Sequence, residues 1–299
     1  MAEDGVCLGI CYADNQLFYA VNNPEEKGSL RHIGCFDFNF DVKNAIVSGD
    51  GNSFSGIQSS LNKLKDDYAC ETVRILSPAI EECWSIFPRA VYENPDERES
   101  HLRLLMNGVD RNNLQSTWFE LSNNEYRLLS IRNSDTMFGF QNLLGSFHSA
   151  EYVSEFELGS EWQNHTSVNG SFLMVHCQKN YLSIASFILG KLRGSTVIRF
   201  ENRTDLPYLW TLYSSKNQWM SGIHEQVYVF GQFARETSEV LTPFWDDTGD
   251  VLLMNTLDLI QVEAAEETYG FRLESAFPAV MLSLNTAELK KETHADNYR

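Results

Sequence analysis

One order of elements occurs twice in this chain, roughly 165 residues apart. Residues 6–21, VCLGICYADNQLFYAV, place two apolar, β-favouring runs around the turn Ala13-Asp14-Asn15, which is a hairpin pattern. Residues 30–40, LRHIGCFDFNF, alternate apolar and polar side chains, as a third antiparallel strand does. Ile57, Leu61, Leu64 and Tyr68 recur at helical spacing and predict an amphipathic helix over about 54–68. The apolar run 73–80, VRILSPAI, closes the set as a buried strand. The second passage follows suit. Strand 171–177 (SFLMVHC), turn Gln178-Lys179-Asn180, strand 181–189 (YLSIASFIL), strand 195–200 (STVIRF) and a helix over about 205–217 lead to strand 227–230 (VYVF) and a Gly-led helix from about 232. A chain that repeats a unit of this length folds as two copies of one topological module, here α/β with mixed sheets.

Between the copies the sequence turns polar. Pro95 opens a helix whose first turn carries Asp96, Glu97 and Glu99, where acids complement the helix dipole. Leu102, Leu105 and Met106 give it an apolar side. Stretches 118–121 and 126–131 read as a hairpin around Ser122-Asn123-Asn124, followed by a helix near 134–147 and a strand near 151–157. The segment 159–170, GSEWQNHTSVNG, is rich in turn formers and reads as a boundary. The expected division is a first unit over 1–165 with an insertion at about 84–157, a second over 166–285, and a polar tail over 286–299.

Charge and cysteine usage exclude several classes. Over 299 residues, 23 Lys and Arg against 41 Asp and Glu give a net charge of −18. Binding to phosphate backbones or an anionic membrane needs clustered cations, so neither nucleic acid nor a membrane surface is an expected partner. The six cysteines form no CxxC pair, so no zinc site is expected. Cys7 and Cys11 share one face of an apolar strand and read as buried free thiols. The opening MAEDG has no basic n-region and no 18-residue apolar run occurs, so a cytoplasmic chain without a leader or membrane span is expected. The sequons at Asn164, Asn169 and Asn202 are then chance matches.

Motifs with a defined catalytic geometry are missing: there is no GxSxG elbow, Walker A loop, HExxH or GxGxxG. The seven histidines share no spacing, and neighbours His176 and Cys177 point to opposite faces of a strand, so they form no nucleophile–base pair. The acidic run at 245–250, WDDTGD, lacks the alternating ligands of an EF-hand and reads as a solvated loop. Trp84, Phe87, Trp162, Trp219 and Trp245 flank turns, where each either caps the core or anchors a partner.

The repeated meander, helix and strand resembles the two halves of the actin-like (RNase H-like) ATPase superfamily. It is most similar there to PilM-like proteins and to the bacterial DUF3822 family, and the closing AFPAVMLSL at 276–284 is similar to the last helix of such domains. The resemblance covers about residues 6–285 and is topological. In active members each first hairpin carries an Asp, a hydrophobic residue and a Gly: the Asp serves Mg²⁺ or the attacking water, and the Gly lets backbone N–H groups reach phosphate. Here Cys11 and Ala13 stand at those positions in the first hairpin, and sliding the frame to Asp14 puts Gln16 at the Gly. In the second, His176 replaces the acid and Gln178 the Gly. The Gly-Gly junction that admits adenosine reads Gly231-Gln232.

The resemblance therefore implies that nucleotide, if bound, would meet Ala13, Asp14, Asn15, Gln178, Lys179, Asn180, Gly231 and Gln232. No catalytic or metal-ligating residue is assigned, and neither ATP nor Mg²⁺ is expected as a cofactor. The function expected is that of a non-catalytic scaffold or adaptor for a protein or peptide partner. The alternative is a divergent nucleotide-binding ATPase or kinase-like enzyme using the cleft between the halves.

Overall fold

The computed structural model describes residues 5–49, 51–107, 113–120, 125–221, 224–245, 249–265 and 270–284. Strand β1 (Cys7–Ala13) is buried along its whole length, as its unbroken apolar sequence requires for a central strand. It turns at Asp14, whose φ of +49° closes the two-residue loop, into antiparallel β2 (Gln16–Asn22). β3 (Ser29–Asp37) continues the meander. After α1 (Val42–Ser48) and α2 (Gly51–Tyr68), β4 (Thr72–Ser77) returns parallel to β1. α2 buries Phe54, Ile57, Leu61 and Leu64, the face its spacing predicts, and starts three residues before the expected 54.

The chain then leaves the sheet. β5 (Glu82–Pro88), α3 (Arg89–Glu93), α4 (Pro95–Leu105), β6 (Leu114–Glu120) and β7 (Tyr126–Asn133) build a separate three-stranded sheet of order β5-β7-β6. The residues expected to turn the hairpin, 122–124, lie outside the described residues. One side of this sheet joins Phe87 and Trp118 to Tyr92 and Leu102 of α3 and α4. On the other, Trp84 lies 4.4 Å from the Phe156 ring, and its Nε1–H donates to Ser195 Oγ at 2.6 Å. α5 (Ser134–Leu144) brings the chain back to β8 (Ser149–Ser154), which pairs parallel to β4 and so belongs to the first sheet.

The turn-forming reading of 159–170 is corrected over residues 159–166. Residues Leu158–Thr166 form α6, because tertiary contacts override the weak helix propensity of its Gly, Ser, Asn and Thr. Leu158 and Trp162 are buried. Glu161 accepts from Nη2 of Arg74 at 2.7 Å, while Arg74 also reaches Glu151 of β8 (2.8 Å) and the carbonyl of Leu282 (3.2 Å). Each nitrogen of this buried guanidinium group thus has an anion or carbonyl to meet.

The second sheet repeats the first. β9 (Phe172–Cys177), β10 (Tyr181–Ile188) and β11 (Lys191–Arg199) form the meander, and α7 (Leu206–Lys216) leads to β12 (Gln226–Phe230), parallel to β9. α8 (Ala234–Trp245) and β13 (Asp250–Leu253) complete it. The order β11-β10-β9-β12-β13 matches β3-β2-β1-β4-β8 strand for strand. α9 (Leu257–Ile260) and the two-residue β14 (Glu263–Ala264), which extends the first sheet beside β3, went unread in the sequence.

Each sheet has an outer core under its own helices, and a central core joins them. That centre is built on α10 (Leu273–Leu284), buried from Glu274 to Ser283. α10 crosses β1 so closely that a Cβ on Gly9 would lie 2.0 Å from the Ala279 carbonyl oxygen. Cys7 and Cys11 point their thiols at carbonyls of this helix, and all six cysteines are unpaired. Residues 246–248 of the acidic run, and the whole tail 286–299, lie outside the described residues.

Candidate functional site

The topology brings the two hairpin turns and the β12–α8 junction to one end of the paired sheets. Lys179 Nζ of the second turn lies 3.9 Å from Asp14 Oδ2 of the first. From the junction, Gln232 Nε2 donates to Gln16 Oε1 at 3.3 Å. Side chains from all three places therefore meet across the seam between the sheets.

The first turn is held by its backbone. The Asp14 carbonyl accepts from the amide of Val42 at 2.9 Å, and that of Asn15 from Phe38 at 2.8 Å. The Asn15 side chain donates to the Phe38 carbonyl at 2.9 Å. The turn is thus braced on the start of α1 and the end of β3. Ala13, just before it, is buried.

The second turn is held from within. Gln178 is buried, and its Nε2–H donates to His176 Nε2 at 2.7 Å, while His176 Nδ1–H donates to Glu155. Glu155 also accepts from Ser183 Oγ and from the Ala79 amide, the latter at 2.6 Å. Burial pushes its carboxyl up. His176 and the two further donors outweigh that and hold it below the usual carboxylate range. The His176 ring stacks on Phe230 at 4.8 Å. Asn180 stays exposed, with its carbonyl accepting from Phe200 at 3.0 Å.

At the junction Gly231 has φ +102°, and a Cβ there would lie 2.6 Å from both the Cys177 carbonyl and His176 Cδ2. Its amide donates to the Glu274 carbonyl at 2.7 Å, so this N–H is already engaged by α10. The Glu274 carboxylate, fully buried, is met by Arg235 Nε.

All eight residues expected at a nucleotide site thus cluster at this end, together with residues that sequence reasoning missed. Glu155 is one of them: it lies 21 positions before His176, and no motif marks it. His176 carried the only signal, as a polar residue in an apolar strand. Burial pushes the Cys177 thiol up to about 12 and Cys7 likewise to about 12, which disfavours the thiolate at both. The five turn-flanking aromatics form no joint exposed surface: Phe87, Trp162 and Trp245 are buried, and Trp84 and Trp219 are half-buried. Among the described residues no three His, Cys, Asp or Glu converge as metal ligands, and no helix is long and apolar enough to cross a membrane.

No family model matches the sequence, and no curated protein matches it. Solved structures do. The chain is similar to a Bacteroides thetaiotaomicron protein with actin-like ATPase fold and unknown function (TM-score 0.52, 11% identity, covering 87% of this chain and 95% of that one). It is similar to the PilM–PilN type IV pilus biogenesis complex (TM-score 0.62, 9% identity, 93% and 97% covered). A third match is the inorganic polyphosphate/ATP-glucomannokinase of an Arthrobacter species (TM-score 0.50, 11% identity, 94% and 98% covered). At these identities the likeness shows the fold, which is the duplicated actin-like ATPase fold.

Proposed function

We propose that the chain is a non-catalytic actin-like scaffold, built of units spanning 1–165 and 166–285, that binds a protein or peptide partner. The observation that carries this reading is how the turns are occupied. Where a phosphate would need bare backbone N–H groups, Gln178 folds onto His176, the Gly231 amide is taken by Glu274, and Asp14 faces Lys179. Neither turn offers the paired carboxylate and glycine that Mg²⁺ and phosphate require. The similarity to the PilM–PilN complex supports a protein partner by analogy of fold. Kinship with PilM-like or DUF3822 proteins is part of the same proposal. Six unpaired cysteines fit a reducing, cytoplasmic setting.

The alternative, a divergent nucleotide-dependent enzyme, draws on the positive φ of Gly231 at a strand-to-helix junction and on the similarity to the glucomannokinase. Titration calorimetry with ATP and Mg²⁺ decides between them. The scaffold reading expects no binding heat at millimolar nucleotide. Saturable binding at micromolar concentration overturns it.

A further inference from the structure

A cavity of about 660 Å³ opens beside the second turn, at Asn180. Its apolar wall joins the two halves: Ile80 follows β4, Phe200 follows β11, and Leu209 lies on α7. Its polar lining is exposed: Glu201, Asp205 and Tyr208, the last with 69% of its surface open. Among the described residues, no hydrogen bond or ion pair engages either carboxylate or the Tyr208 hydroxyl.

We propose that this cavity receives a lysine or arginine side chain carried on an apolar segment of a protein partner. The inference rests on the scaffold reading and gives that partner a chemistry. A long basic side chain has an alkyl stem and a cationic head. The stem suits the wall of Ile80, Phe200 and Leu209, and the head suits two unpaired carboxylates beside an exposed aromatic face. Arg199, the one cation in the lining, leaves it at −1 and supplies a donor for main-chain carbonyls of the segment. The net charge of −18 draws a cationic segment in from a distance. An anionic ligand would meet the same two carboxylates and be repelled. Because Ile80 belongs to the first half and α7 to the second, the occupant touches both.

The test is fluorescence anisotropy of the full chain with a fluorescein-labelled heptapeptide that alternates leucine and lysine. Saturable binding is expected, weakened about tenfold by the pair Glu201→Gln and Asp205→Asn, and about threefold by Tyr208→Ala. A control pair, Glu26→Gln and Glu263→Gln, removes the same charge from exposed sites elsewhere and is expected to change affinity less than twofold. Equal weakening by both pairs means general attraction to an acidic surface and overturns the proposal, as does an absence of saturable binding. If a partner isolated with the intact chain also binds the Glu201→Gln and Asp205→Asn variant unchanged, the scaffold reading stands and this cavity drops out of it.

Discussion

The two hairpin turns sit at equivalent places in sheets that share a five-strand order, yet they are stabilised from opposite sides. The first is braced from outside, by amides of Val42 and Phe38 on its carbonyls. The second is braced from inside, by Gln178, His176 and Glu155. Glu155 comes from the first half of the chain, just before α6, so the inner brace of one turn is also a bond between halves. Strand order follows from which faces are buried, and both copies share that pattern. Turn chemistry is set by a few side chains, and there the copies part.

The comparison breaks most sharply at Glu155. Glu155→Gln presents an amide NH₂ to one of the donors now served by two carboxylate oxygens, and should cost about 3 kcal/mol. Urea unfolding at pH 7 measures it. The sign with pH also follows. The folded carboxyl titrates below its ordinary value near 4.5, so its stabilisation is present above that pH and is lost as pH falls through the lower folded value. The variant should show a flatter loss below pH 4.5 than the parent. If the two profiles coincide, the carboxylate is not what holds the second turn.

Restoring an acid at the second hairpin should not restore a phosphate site. His176→Asp sets a second carboxylate against Glu155 in a buried place, at a cost of about 2 kcal/mol at neutral pH. Like charges raise the folded pKa of the pair, so this variant gains stability as pH falls and loses it as pH rises, the reverse of the parent. A parallel pH slope would mean that the turn has opened to water and the inner brace was dispensable.

How far all this was legible in the sequence depends on the range of the interaction. The meanders, the parallel return strands and helices α2, α4 and α7 are written in the local sequence, while α10 was expected only from the family resemblance. α6 was not, because Gly159, Ser160 and Asn164 signal turns while the reasons for its helix, Arg74 and α10, lie far off in the chain. At the site, turn positions and altered residues were legible because hairpins are local. The His176–Glu155 bond was not, since its partners come from different halves. Sequence reasoning named the residues that replace the acid and the glycine, but not the contacts that engage them, since those reach across the chain.

A gentler change asks whether the inner brace needs its glutamine. Gln178→Gly removes the donor to His176 Nε2 and frees the backbone of the turn, for a loss of about 1 kcal/mol. It also restores the glycine that a phosphate turn would want. ATP binding should still be undetectable by calorimetry, because His176 and Glu155 remain in place. Nucleotide binding gained by this one change would mean that Gln178 alone closes the site.

The smallest effect is expected at the exposed contact that joins the turns directly. Lys179 and Asp14 are 3.9 Å apart, with 70% and 38% of their side-chain surfaces exposed, so water and salt screen the pair while holding a long lysine in one rotamer costs entropy. Lys179→Ala should change stability by less than about 0.5 kcal/mol, and the difference should vanish in 0.5 M salt, a concentration near the short-screening regime of about 1 M. A double-mutant cycle with Asp14→Asn isolates the coupling from the turn and solvent contributions of each residue. A coupling above about 1 kcal/mol would mean that the exposed bridge, and not the buried carboxylate, keeps the two turns together. The contrast between an outside-braced and an inside-braced turn would then give way to a single unit spanning the seam.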